Sequence, residues 1–87
     1  MLFGLLVVCC MPEEQFFGAA LRQLRNEKNL TQEQLAARSD VDRVSIGVWE
    51  NGEKLPRIDS FFKLAKGLDV PPQEFISLII EISSNKD

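Results

Sequence analysis

"TQEQLAARSDVDRVSIGVWENG", residues 31–52, decides the fold. Thr31 is followed three positions on by Gln34, the spacing of a capping box, so a helix begins at Gln32 and buries Leu35 and Ala36. The interval "SDV" leaves room only for a tight turn, because Asp42 is itself a good N-cap for a further helix from Arg43 to Asn51. Gly52 ends that helix, tolerating the left-handed conformation such an end requires. Ile46 and Trp49 point inward, with Leu35 and Val41, as core. At about 100° per residue, Val44 and Val48 then project from the opposite face with Gly47 beside them.

Outward from this stretch, the chain reads as three more helices. "PEEQFFGAALRQLRNEKN" carries Phe17, Leu21, Leu24 and Ala20 along one stripe, Arg22 and Arg25 outward, and acids in its first turn, where they complement the helix dipole. That helix spans about residues 13–28. "IDSFFKLAKGL" supplies another with Ile58, Phe61 or Phe62, Leu64, Ala65 and Leu68 as its apolar set. "PPQEFISLIIEIS" supplies the last over 72–83, opened by Pro72. No alternating period-two segment, internal repeat or low-complexity stretch interrupts this pattern, so the fold class is all-α with five helices.

With 87 residues the chain holds one domain. Its apolar content of 45% and charged content of 26% are ordinary for a globular protein. The formal charge of −3 argues, taken as an average, against a phosphate-rich partner. The average conceals a division. Between Arg22 and Lys66 nine Lys/Arg face seven Asp/Glu, a net +2, and the other positions hold one Lys and six acids. The only cysteines, the adjacent Cys9 and Cys10, are too close for an ordinary disulfide, and with no histidine in the chain they complete no zinc site. They lie in "MLFGLLVVCC", too short to span a bilayer and without a signal peptide's charged start or cleavage site. Residues 1–11 are therefore read as an apolar N-terminal extension, either upstream of a working start at Met11 or loosely packed, and the domain as 12–84. The absence of histidine, Gly-rich loops and nucleophile–base pairs leaves enzyme chemistry without a footing, and no metal, cofactor or small-molecule ligand is expected.

Two helices of about eight residues with a turn of about three between them form a helix-turn-helix, here at about 31–51. "LTQEQLAARSDVDRVSIGVWENGEKLPRIDSFFKLAKGLDVPPQEF", residues 30–75, resembles the phage-repressor, Cro and Xre type of helix-turn-helix domain, and "FGAALRQLRNEKN" resembles that family's first helix. The resemblance implies a five-helix, lambda-repressor-like DNA-binding domain and, for a small regulator of the phage-repressor, controller-protein or antitoxin kind, a cytoplasmic homodimer on double-stranded DNA. Carried over by position, it places Gln32 at a phosphate and Arg43, Val44, Ser45 and Val48 at the bases. Asn51 and Lys54 fall near flanking phosphates. Two departures stand out: Asp40 occupies the turn position often held by Gly, and Gly47 and Val48 stand where many relatives carry polar or basic groups.

The residues themselves leave alternatives open. Gln32 also fits a solvated first-turn position, Arg43 a pair with Glu50 or Asp42, and the valines a protein interface or plain exposure. As a base reader, Arg43 can donate two hydrogen bonds to guanine, and a valine can pack on a thymine methyl group. In the last helix Phe75, Leu78, Ile79 and Ile82 face the domain, and Ile76 and Ile80 form a second stripe that one short helix cannot bury. Phe75, Ile76 and Ile80 are therefore the expected dimer interface, against the alternative of a helix sunk beneath the N-terminal segment. The expected function is transcriptional regulation on a two-fold operator. The alternative is a protein-interaction module of antitoxin or adaptor type.

Overall fold

Five α-helices and no strand make up residues 13–84, the part of the chain described by the computed structural model. They are α1 (Glu13–Glu27), α2 (Gln32–Ser39), α3 (Arg43–Glu50), α4 (Ile58–Leu68) and α5 (Pro72–Ser84). The apolar extension expected over 1–11 lies outside the described residues. No described helix is long and apolar enough to cross a membrane.

The helix ends follow from local chemistry. The Thr31 hydroxyl accepts from the Gln34 N–H at 3.1 Å, and the Gln34 side chain accepts from the Thr31 N–H at 2.8 Å, completing the capping box. Asp42 caps α3 by accepting from the Ser45 N–H at 3.1 Å. At the other ends Asn29, Asp40, Gly52 and Asp69 adopt left-handed backbone with φ of 59°, 58°, 77° and 61°. The next residue's N–H then reaches back to the carbonyl five positions earlier, as from Leu30 to Arg25, Val41 to Ala36 and Val70 to Ala65. Leu30, Val41 and Val70 also pack against the core, so three of the four stop signals carry a hydrophobic anchor, whereas Gly52 is followed by the exposed Glu53.

Helix α1 packs on α3 and α5, α2 on α3 and α4, and α4 on α5. Phe17, Ala20 and Leu21 meet Leu35, Ile46, Trp49, Phe61, Leu64, Leu68 and Phe75 in one cluster. Its centre is aromatic: the Phe75 ring stacks on Phe17 at 5.4 Å between centroids and lies 4.9 Å from Phe61. Val41 is only half-buried, packed at the cluster's margin.

Three expectations need correction. Phe75 is fully buried in its own chain, stacked on Phe17 and tilted against Phe61, and so leaves the expected dimer interface. Ile58, the first residue of α4, precedes the inward stripe of Phe61, Leu64, Ala65 and Leu68 and is exposed, and of the two candidate phenylalanines Phe61 points in and Phe62 out. Arg25 does not face outward: its side chain is 14% exposed and bonded to Glu50.

Two glycines separate packing from surface. A Cβ on Gly18 would lie 2.5 Å from the Trp49 carbonyl oxygen and 2.8 Å from that of Glu50, so glycine alone lets α1 approach the last turn of α3. A Cβ on Gly47 would meet only the Gln32 side chain, at an ordinary 3.9 Å. Gly18→Ala is accordingly expected to destabilise by about 1–3 kcal/mol through overpacking, and Gly47→Ala to stabilise by about 0.5–1 kcal/mol through helix propensity. Denaturant midpoints of the two variants check the pair, and equal shifts of one sign would contradict the packing account.

Candidate nucleic-acid interface

Helix α3 divides its residues by face. Ile46, Trp49 and Glu50 are buried, Arg43 and Val44 are exposed, and Ser45, Gly47 and Val48 lie half-buried between them. Val44, Ser45 and Val48 line one groove of about 300 Å³, whose opposite wall includes Lys54, Leu55 and Arg57 from the segment entering α4. Val44 is 60% exposed, whereas Val48 reaches the groove with one side and packs against the core with the other. Ser45 also donates its hydroxyl to Asp42 at 3.4 Å, which leaves its oxygen able to accept. Asn51 caps the far end of α3, exposed, its N–H bonded to the Gly47 carbonyl at 3.0 Å.

Arg43 stands at the start of α3 on the side toward α2. Its Nη1 donates to Gln32 Oε1 at 3.5 Å, and its Nε lies 3.9 Å from Glu33 Oε2. It therefore pairs with neither Glu50 nor Asp42. Gln32, half-buried at the first position of α2, turns its amide nitrogen inward and donates to Glu50 Oε1 at 3.1 Å. The arrangement joins four of the expected residues in the groove, sets Arg43 and Gln32 in contact beside it, and leaves Asn51 at the end of the helix.

Behind this surface sits a group that the sequence reading missed. The Glu50 side chain is fully buried, its Oε2 accepting from Arg25 Nε at 2.6 Å and its Oε1 from Arg25 Nη2 at 3.1 Å. Arg22 Nε lies 3.6 Å from the same Oε1. Burial pushes the Glu50 carboxyl up, but the hydrogen bonds from Arg25 and Gln32, with the positive charges of Arg25 and Arg22, outweigh it and hold the group below the usual carboxylate range. Donating to Glu50 in turn raises the Arg25 guanidinium against its own desolvation. The signal was one of register: Glu50 shares the inward stripe of Ile46 and Trp49 at i+4 and i+1, and Arg25 follows buried Leu21 by one turn.

Glu50 and Arg25 are withdrawn as a neutral pair, while Lys54 and Arg57 remain exposed at the groove. Arg38 is committed to the fold, since its Nε donates to the Gly67 carbonyl at 3.0 Å and ties α2 to α4.

Residues 21–75 match the helix-turn-helix family HTH_3. The chain is 43% identical over 61 residues to the HTH-type transcriptional activator BcrR of Enterococcus faecalis, a stretch covering 70% of this chain and 30% of BcrR. It spans about a third of the length of the first curated relatives it matches. Among solved structures, the restriction-modification controller protein C.AhdI from Aeromonas hydrophila superposes with a TM-score of 0.69 at 40% identity, covering 71% of this chain and 94% of that one. The controller protein C.Esp1396I, solved as a tetramer in complex with its natural 35 base-pair operator, superposes with a TM-score of 0.78 at 29% identity, covering 83% and 95%.

A pH dependence follows from Glu50. Its folded-state pKa lies below the unfolded value of about 4.3, so its contribution to stability is complete above that value and is lost as pH falls through the folded pKa, where the unfolded chain binds the extra proton. Replacing it by Ala is expected to cost about 3–5 kcal/mol near neutral pH, because Arg25 is left buried without its partner. Thermal unfolding of wild type and Glu50→Ala between pH 7 and pH 3 should show curves that converge as the pH drops; a gap that stays constant would contradict the assignment.

Proposed function

The chain belongs to the helix-turn-helix family, and from that premise we propose that it is a sequence-specific, double-stranded-DNA-binding transcriptional regulator acting as a homodimer on a two-fold operator. The observation that carries this reading is the groove face of α3, where Val44, Ser45, Val48 and Lys54 converge beside Arg43.

In this reading α3 enters the major groove with its N-terminal residues toward the base edges. Arg43 donates a bidentate pair to guanine O6 and N7, and Val44, with the free side of Val48, packs on thymine methyl groups. Ser45 offers its hydroxyl to a base edge. Gly47 keeps the helix surface low enough for close approach, which suits a glycine that the fold does not require. Lys54 and Asn51 meet flanking phosphates. Because the side-chain nitrogen of Gln32 is turned inward, the phosphate contact at the start of α2 is ascribed to the backbone N–H groups of Gln32 and Glu33, which lack intrahelical partners and sit at the positive end of the helix dipole.

The homodimer is ascribed to α5, whose Ile76 and Ile80 are 47% and 58% exposed. Ile76 also lines an apolar groove of about 330 Å³ with Leu55, Pro56 and Ile58, a surface that favours burial against a second copy. A dimer through this face sets two α3 helices on successive major grooves, about 34 Å apart. The reading assigns binding and no catalytic step.

Selection from a random duplex pool, then titration of the enriched duplex at two salt concentrations, tests the proposal. A spaced palindrome bound with a steep negative salt slope is expected, since phosphate contacts release counterions. A folded sample that enriches nothing would move the valine face to a protein partner.

Single variants then separate the roles. Arg43→Ala is expected to cost about 1–3 kcal/mol and relax preference at one base pair, whereas Lys54→Ala weakens all duplexes alike and lowers the salt slope by about one. Equal loss on selected and random DNA for Arg43→Ala would remove it from base reading. Ile80→Asp should give a monomer by sedimentation with its helix content intact; an unchanged dimer would locate the interface elsewhere.

A further inference from the structure

The buried carboxylate of Glu50 and the exposed guanidinium of Arg43 are linked through one amide, and the direction of that amide is fixed. An ionised carboxylate only accepts hydrogen bonds, so the group that Gln32 turns toward Glu50 Oε1 at 3.1 Å must be its NH₂. Its carbonyl oxygen consequently points the other way. There it accepts from Arg43 Nη1 at 3.5 Å. A guanidinium has five donors and no acceptor, so an outward oxygen holds it and an outward NH₂ would repel it. The carboxylate is itself immobilised, because Arg25 grips both of its oxygens and donates a third bond, from Nη1, to the Leu30 carbonyl at 2.9 Å.

We propose that Glu50 is a positioning residue for base recognition: through the fixed amide of Gln32 it presets the Arg43 side chain at the start of α3. The inference rests on the DNA-binding reading of α3 given above. Arg43 is a long, half-exposed side chain, and ordering it at a base costs rotamer freedom. A side chain already tethered at one nitrogen loses less on binding, and the tether leaves its remaining donors free for the bidentate pair. Glu33, whose Oε2 lies 3.9 Å from Arg43 Nε, adds a second, exposed restraint on the same fork. The bond from Gln32 to Glu50 is not needed to satisfy the carboxylate, since both oxygens are already bonded to Arg25. Its structural consequence is the direction of the amide.

Glu50→Gln leaves one oxygen where Arg25 and Gln32 use two, and so frees the Gln32 amide to turn. The test measures affinity for the selected duplex, for the same duplex with the base pair under Arg43 inverted, and for random duplex, at a temperature where every variant is folded. Glu50→Gln is expected to lower discrimination between the first two about three- to tenfold, the scale of one side chain's ordering cost, while random-duplex affinity stays within about twofold. Gln32→Met, which removes the amide but keeps Arg25 on Glu50, should lower the same ratio. Neither change should lower it further in an Arg43→Ala background, and the NMR order parameter of the Arg43 Nε–H in the free protein should fall in both.

A loss in Glu50→Gln that is equal on all three duplexes, or that persists undiminished without Arg43, marks a purely structural role and overturns the inference. Should Glu50→Gln fail to fold, Gln32→Met and its double variant decide by the same ratio. A wild type that selects no sequence overturns the DNA-binding reading and this inference together. A wild type that selects one, beside variants that discriminate as well as it does, overturns this inference alone.

Discussion

A single buried carboxylate sets the register of three helices. Glu50 belongs to α3, its partners Arg22 and Arg25 to α1, and Gln32 to α2. Apolar contacts tolerate sliding, because one methyl group replaces another at little cost, but a buried charge tolerates almost none: moved by a residue, it loses its partners and keeps its desolvation penalty. The tight passage of α1 across the last turn of α3, made possible by Gly18, brings Arg25 to Glu50. Backbone proximity and ion pair thus depend on the same few residues. The orientation of α2 to α3 on which the candidate site rests is held by this cluster, by the hydrophobic core beneath it and by the short Asp40–Val41 turn.

Much of the fold was legible in the sequence because its boundaries are written in side chains that act locally. Thr31 with Gln34, Asp42, Pro72 and Gly52 declare helix ends within a few residues of themselves, and the observed helices begin and end within a residue of expectation. Asp40, noted in the sequence as standing where Gly is common, adopts the left-handed backbone that Asp tolerates. Asn29 and Asp69 do the same work but passed unread, because the hydrophobic residue that follows each completes the motif only once it finds the core.

What stayed illegible depends on contacts distant in sequence. The pair between Arg25 and Glu50 spans 25 positions, and neither residue type suggests burial. Once Glu50 is placed inside, the roles of Gln32 and Arg43 change with it: Gln32 turns an amide group inward, and Arg43 turns to Gln32 and Glu33 instead of to Glu50. Phe75 failed for the opposite reason. Its position on α5 fits either stripe, and only the rings of Phe17 and Phe61 from two other helices draw it into the core. Ile76 and Ile80, with no such partners among the described residues, remain exposed there as their spacing implied.

The candidate site residues were easier to name than to assign, because recognition faces are defined by what the fold leaves over. Val44 is left over entirely, whereas Val48 serves the core and the groove at once. The same sharing recurs in the segment after α3, where Leu55 and Pro56 line both the groove facing Val44 and the apolar groove beside Ile76. Leu55 and Pro56 are thus common to the groove beside α5 and the groove beside α3. A change at either residue alters the lining of both grooves, whereas Val44 lines only the first and Ile76 only the second.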